Sequence, residues 1–148
     1  MAEHNQMIHI EASPETVIEL LLSPSQRQQW IRDLAQPAET ASRPTQAGAS
    51  WQEWFYIEED RVPVKQTLTQ LEGHTLTLVS EGPGFTKEAR YLIAQQTNGV
   101  DLHINQSIHY HGFLPRLMGF FLGRTQNAVL HHNLRQLKAL AESQSKAA

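Results

Sequence analysis

Histidine is the residue type in this chain best suited to acid–base or metal chemistry. His103, His109 and His111 share one parity of a segment that reads as a strand. His103 and His109 would stand about 20 Å apart along an extended chain and cannot bind one ion together. His109 and His111, about 6 to 7 Å apart, could pair with a neighbouring strand, but they share the polar parity and are expected at solvent. His131 and His132 lack a partner four residues away among His, Asp or Glu, and no HExxH occurs. No metal site is therefore expected. Glu53, Glu88 and Arg90 are the charged residues inside predicted strands that could become buried; Glu88 and Arg90, two residues apart on one face, would pair or be solvated.

Other chemistry is excluded by what the sequence lacks. With no cysteine among 148 residues, thiol nucleophiles, disulfides and cysteine metal sites are absent, which is compatible with the cytoplasm. GxSxG, a phosphate-binding glycine loop and a dinucleotide fingerprint are all missing, so no catalytic residue and no cofactor is assigned. A net charge of -3 and scattered Arg and Lys disfavour a nucleic-acid partner. No signal-length apolar run begins the chain, and the longest, Leu117 to Leu122, is far below the roughly 20 residues of a membrane span.

The elements that must position any site follow from periodicity. Met7 to Ile10 alternates as a short strand. Ser13-Pro14-Glu15-Thr16 is a helix start, with Ser13 as N-cap and Pro14 at the first helical position. Ser23-Pro24 ends that helix and opens a second short one through Gln28, Gln29 and Trp30. A loop and one weak strand around Glu39 to Arg43 come next. Trp51 to Glu58, Pro63 to Leu71, His74 to Ser80, Phe85 to Ala94 and Val100 to Tyr110 then form an antiparallel meander, with Asn98-Gly99 as a strong turn signal. The last element is a long helix from about Phe113 to about Glu142. Leu130, Leu134, Leu137 and Ala141 form one face of it, and a face that long needs a broad surface to lie on. Leu102, Ile104 and Ile108 share a strand parity and should face it. The whole reads as an α+β domain over residues 7–142, with frayed ends at 1–6 and 143–148.

The run Ile8-His9-Ile10-Glu11-Ala12-Ser13-Pro14-Glu15-Thr16-Val17, the Trp30 after the short helices, the meander and the terminal Leu134-Arg135-Gln136-Leu137-Lys138 resemble the helix-grip superfamily. This is the SRPBCC group, which includes START lipid-transfer domains, birch-pollen-allergen relatives and polyketide cyclase/dehydrase-like proteins. The resemblance implies about seven antiparallel strands gripping the C-terminal helix around an internal hydrophobic cavity. It carries no shared catalytic motif, so it adds no catalytic residue.

For such a cavity the candidate lining residues are Trp54, Tyr56, Leu76, Leu78, Tyr91, Ile93, Tyr110, Phe113, Leu117 and Phe121, with Gln106 on the apolar parity of its strand as a group that could orient a ligand. On the aromatic strand, parity sets Trp54 and Tyr56 against Trp51, Glu53 and Phe55 and does not choose between the faces. The second pair, Trp51 and Phe55, would suit a surface patch covered in a homodimer. The expected function is noncovalent binding or transport of an apolar or amphipathic small molecule. The alternatives are a polyketide cyclase/dehydratase-like enzyme and a protein-interaction module without a ligand.

Overall fold

The computed structural model describes residues 2–35, 43–57, 59–111 and 123–147. In chain order these form β1 (Ala2–Ile10), α1 (Pro14–Leu22), α2 (Pro24–Arg27), β2 (Ser50–Ile57), β3 (Asp60–Glu72), β4 (Thr75–Gly82), β5 (Phe85–Gln96), β6 (Gly99–Tyr110) and α3 (Gly123–Ala147). All neighbouring strands are antiparallel, and the sheet order is β1-β6-β5-β4-β3-β2. The meander thus runs from β2 to β6, and β1 closes on the far side of β6. The sheet curves around α3 in the helix-grip arrangement.

Six strands stand among the described residues, where about seven were expected. Of the weak strand around Glu39 to Arg43, only Arg43 lies within the described residues, and it is in no strand; the helix start near Phe113 also lies outside them. β1 begins at Ala2 and not at Met7, pairing Ala2 with Ile108 and Gln6 with Ile104, so residues 2–6 form a ladder where a frayed end was expected. The sequence hides this because the inward positions there are the polar His4 and Gln6, of which His4 is buried, so the inward face of residues 2–6 carries no apolar alternation. At the other end α3 continues to Ala147, past the expected stop at Glu142.

Local chemistry explains the element boundaries. The Ser13 hydroxyl accepts the Thr16 backbone N–H at 3.2 Å, and Pro14 occupies the first turn of α1. α2 is a single turn that ends at Arg27, shorter than the expected run to Trp30. Gly99 has φ +135°, and a Cβ there would stand 2.2 Å from the Ile10 carbonyl oxygen, so β1 can approach the β5–β6 turn only because this residue is glycine. On β3 the register slips between Leu68 and Gln70, which transfers the inward parity from Leu68 to Leu71.

The inner face of the sheet and one face of α3 make the core. Leu102, Ile104 and Ile108 are buried, as their shared parity required. Leu102 and Ile104 join Leu130, Leu134, Leu137 and Ala141 of α3 and most of α1 in one cluster. Each large aliphatic side chain buried there contributes about 1.5–3 kcal/mol. Polar clasps then fix the register of α3. Lys138 Nζ donates to the His9 carbonyl at 2.7 Å, the Glu142 carboxylate accepts the Glu11 N–H at 2.9 Å, and Asn133 Oδ1 accepts the Arg32 N–H at 2.9 Å.

Candidate functional site

The inner face of the sheet is not uniformly apolar. Cross-strand pairing aligns Trp51 of β2 with Gln66 of β3, Gln66 with Ser80 of β4, Ser80 with Lys87 of β5, and Lys87 with Ile108 of β6. One row of the sheet therefore carries three polar side chains into the interior. Glu53, two residues along β2 from Trp51, belongs to the same face. Opposite it, α2 and the turn after it deliver Arg27 and Trp30.

Arg27 and Glu53 form a buried, two-pronged ion pair. Arg27 Nε donates to Glu53 Oε2 at 2.7 Å and Nη2 donates to Oε1 at 3.0 Å. A third guanidinium nitrogen, Nη1, donates to the Leu21 carbonyl at 2.9 Å. The guanidinium carbon lies 6.0 Å from the Trp30 ring centroid and 5.9 Å from that of Trp51, so two indoles flank the cation. The Trp30 N–H donates to the Leu20 carbonyl at 2.7 Å, which locks the first of those indoles. From the other side Gln66 Nε2 donates to Glu53 Oε1 at 3.0 Å, and the Ser80 hydroxyl donates to Gln66 Oε1 at 2.7 Å. The short α1–α2 junction at Ser23-Pro24 makes this possible, because it turns the chain so that Arg27 points back into the sheet.

Charge states follow from this geometry. Burial pushes the Glu53 carboxyl up, but the charge and hydrogen bond of Arg27, with Trp51 and Gln66 beside it, more than reverse that and hold it below the usual carboxylate range. Burial disfavours the Arg27 cation, and Glu53 reverses this in turn, so Arg27 stays charged with its pKa raised. Lys87 has no such partner. Burial, then repulsion from Arg27, lower its ammonium to about 8, with Glu53 opposing the shift. Burial, reinforced by Glu53 against Arg27, raises the Tyr91 phenol, which stays protonated.

These groups border a cavity of about 70 Å³ between the sheet and α3. Its polar wall is Arg27, Gln66, Ser80, Lys87, Gln106 and Asn133, with Arg32 at the rim. Its apolar wall includes Trp30, Phe55, Val64, Phe85, Leu130 and Leu134, and Tyr91 lies between the two. Gln106 is 3% exposed. Among the described residues, neither the Gln106 amide nor the Lys87 ammonium has a hydrogen-bond partner.

The residues expected from sequence separate into groups. Tyr91 and Gln106 are in the cavity wall. Leu76, Leu78 and Ile93 are buried in the main core and do not border the cavity. Tyr110 packs against the small cluster of Val64, Phe85 and Ile108, its hydroxyl buried without a partner among the described residues. Phe113, Leu117 and Phe121 lie outside the described residues. The aromatic strand is reversed from expectation: Trp54 and Tyr56 lie on the outer face, with Arg61 over the Trp54 ring at 5.1 Å and Tyr56 49% exposed. Trp51 and Phe55 face inward instead, packed on the core clusters, and form no surface patch. The cause is Glu53, which must face Arg27 and carries Trp51 and Phe55 to its own side.

Arg27 and Lys87 escaped the sequence reading. Arg27 falls in a helix too short to show a face. Lys87 interrupts the inward parity of Phe85, Ala89, Tyr91 and Ile93, and that interruption was the available signal. Glu88 and Arg90 form an exposed pair at 2.9 Å on the outer face. The histidines of β6 are also outward: His103 and His109 are exposed, and His111 contacts Thr86 at 3.0 Å. Among the described residues no three His, Asp or Glu side chains gather as a metal site, and no helix is long and apolar enough to cross a membrane.

Comparison with solved structures returns the same architecture. Protein CV1439 from Chromobacterium violaceum superposes with a TM-score of 0.75 at 16% identity, over 96% of this chain and 99% of that one. A START superfamily protein from Mycobacterium smegmatis gives 0.72 at 14% identity, over 95% and 97%. TTHA0849 from Thermus thermophilus gives 0.68 at 16% identity, over 99% and 98%. Likeness at these identities speaks for the fold alone. Among curated proteins, none matches the chain by sequence. The family model described as polyketide cyclase / dehydrase and lipid transport matches residues 1–142, and the chain belongs to that family of helix-grip, START-like proteins.

Proposed function

We propose that this protein binds a hydrophobic or amphipathic small molecule, noncovalently, in the cavity between the sheet and α3. The observation that carries the reading is the two-sided wall. Apolar side chains of β2, β3, β5 and α3 face one part of the space, and polar groups of α2, β3, β4, β5 and β6 face the other. A simple core has no use for a buried amide and a half-buried ammonium without partners among the described residues, since each costs free energy unless something pairs with it. A ligand with an apolar body and a polar end supplies both contacts. The family, which joins polyketide cyclases and dehydrases with lipid transport, supports this class of ligand.

About 70 Å³ accommodates a head group, so an apolar tail requires side chains such as Phe55 and Phe85 to swing aside. Native mass spectrometry of freshly purified protein, followed by titration with N-phenyl-1-naphthylamine, a neutral apolar probe whose fluorescence rises out of water, tests the reading. A retained apolar molecule, or saturable probe binding that Leu130→Trp blocks, is the expected result. No retained molecule together with no saturable probe binding overturns it.

A further inference from the structure

The balance of charge inside the cavity says more about the polar end of the ligand. Arg27 and Glu53 cancel each other through two short hydrogen bonds. Lys87 is then an uncompensated cation in the cavity wall. The other charged and titratable groups among the described residues do not answer it. Tyr91, on the same strand, is neutral. Arg32 at the rim is itself cationic and lies 3.7 Å from its neighbour Asp33, both well exposed. α3 contributes Asn133 but no charge among the described lining residues. Gln106 faces the same space. The register pairs it with Ala89 and pairs Lys87 with Ile108, so the two polar residues are diagonal neighbours on adjacent strands.

Resting on the binding reading above, we propose that the ligand of this cavity carries one carboxylate, held by the Lys87 ammonium and the Gln106 side-chain amide. A single negative charge fits for three reasons. One ammonium is uncompensated, so a monoanion brings the buried charge to zero where a dianion would overshoot. A carboxylate has two acceptor oxygens in one plane, enough for an N–H from each of two diagonal neighbours. The space of about 70 Å³ is of head-group size. Ser80 is not needed as a donor, because its hydroxyl hydrogen is committed to Gln66, and one of the two Gln66 amide hydrogens is committed to Glu53. The site is also self-limiting with pH, because a lysine held near 8 without ligand is charged at neutral pH and loses its charge, and its hold on an anion, above that.

The test uses three ligands with the same tail, octanoate, octanol and octylamine, each competing against N-phenyl-1-naphthylamine on the intact protein. Octanoate should displace the probe more tightly than octanol by on the order of tenfold to a hundredfold, the range for a hydrogen-bonded charge away from water. Octylamine should be the weakest. The octanoate preference should fall as pH rises through about 8, while octanol stays flat. Lys87→Gln should lose the preference, read as the ratio of octanoate to octanol affinity within the variant itself; Lys87→Arg should retain part of it. Equal or tighter binding of octanol by the parent protein, or a preference that survives in Lys87→Gln, overturns the carboxylate assignment while leaving the binding reading intact. Failure of the parent to bind the probe and all three ligands overturns both. The parent comparison needs no variant, so it decides the matter even where Lys87→Gln folds poorly.

Discussion

Glu53→Gln is the substitution with the most consequences. It leaves the side chain nearly isosteric but removes the charge opposite Arg27, which stays buried, flanked by two indoles and fixed to the Leu21 carbonyl. Breaking one side of a buried pair costs about 3–5 kcal/mol, because the remaining charge has neither water nor a partner. A domain of this length loses about 2–4 °C of melting temperature per kcal/mol, so thermal unfolding followed by circular dichroism at pH 7 should show a fall of roughly 6–20 °C. The companion variant Arg27→Met with Glu53→Leu removes both charges and keeps apolar bulk between Trp30 and Trp51; it should recover most of the loss. The pH dependence has a defined sign. Glu53 is held below its ordinary 4.5 in the folded chain, so its contribution is complete above that value and is lost as pH falls through the lower folded value. The part of the gap that comes from Glu53's own titration should therefore be constant from pH 6 to 8 and narrow only in acid. A loss under about 1 kcal/mol at pH 7, or a double variant no more stable than Glu53→Gln, would refute the claim that this pair is a buried and uncompensable anchor.

Lys87→Met should stabilise the unliganded protein at pH 7 by about 1–3 kcal/mol, because the folded chain holds the amine near 8 against an ordinary 10.5 and carries the cost of a poorly solvated ammonium. The parent's stability should rise between pH 8 and 10.5, where only the unfolded chain keeps that proton, and a urea titration series in which the variant shows the same rise would contradict this. Gly99→Ala forces a Cβ against the Ile10 carbonyl at φ +135° and should cost about 1–3 kcal/mol or more by urea unfolding. Ser13→Ala removes the cap on α1 and should cost about 1 kcal/mol, read as a shift in midpoint with an unchanged slope.

The parts of the fold that were legible in the sequence are those where one face alone is apolar. On β6, Leu102, Ile104 and Ile108 alternate with polar residues, and the same holds for Leu130, Leu134 and Leu137 on α3, so period and burial coincide. On β2 both faces carry aromatic residues, and the inward face was decided by an ion pair to a residue 26 positions earlier. Nothing local to β2 records that choice. The same cause hid the site. An inward charge looks like an error in a hydrophobic pattern, and Lys87 and Arg27 acquire meaning only when strand register and the α1–α2 turn bring them to one space. Gln106 was visible for the opposite reason, since it stands on an apolar parity flanked by Ile104 and Ile108.

The cavity's titration pattern also limits what chemistry it could perform. A general acid or base working near neutral pH needs a pKa near that pH and a free path to the substrate. Glu53 has neither: its carboxylate oxygens are taken by Arg27 and Gln66, and its proton affinity is lowered. Tyr91 stays protonated and can only donate. Arg27 stays charged and is held on three sides. Lys87 is the group in this cavity whose ionisation falls near the neutral range, at about 8, and a bound carboxylate would favour its charged form and take it out of use as a base. If the proposed carboxylate is bound, the group that titrates near neutrality among the described lining residues is neutralised by the ligand, and this weighs for binding over catalysis.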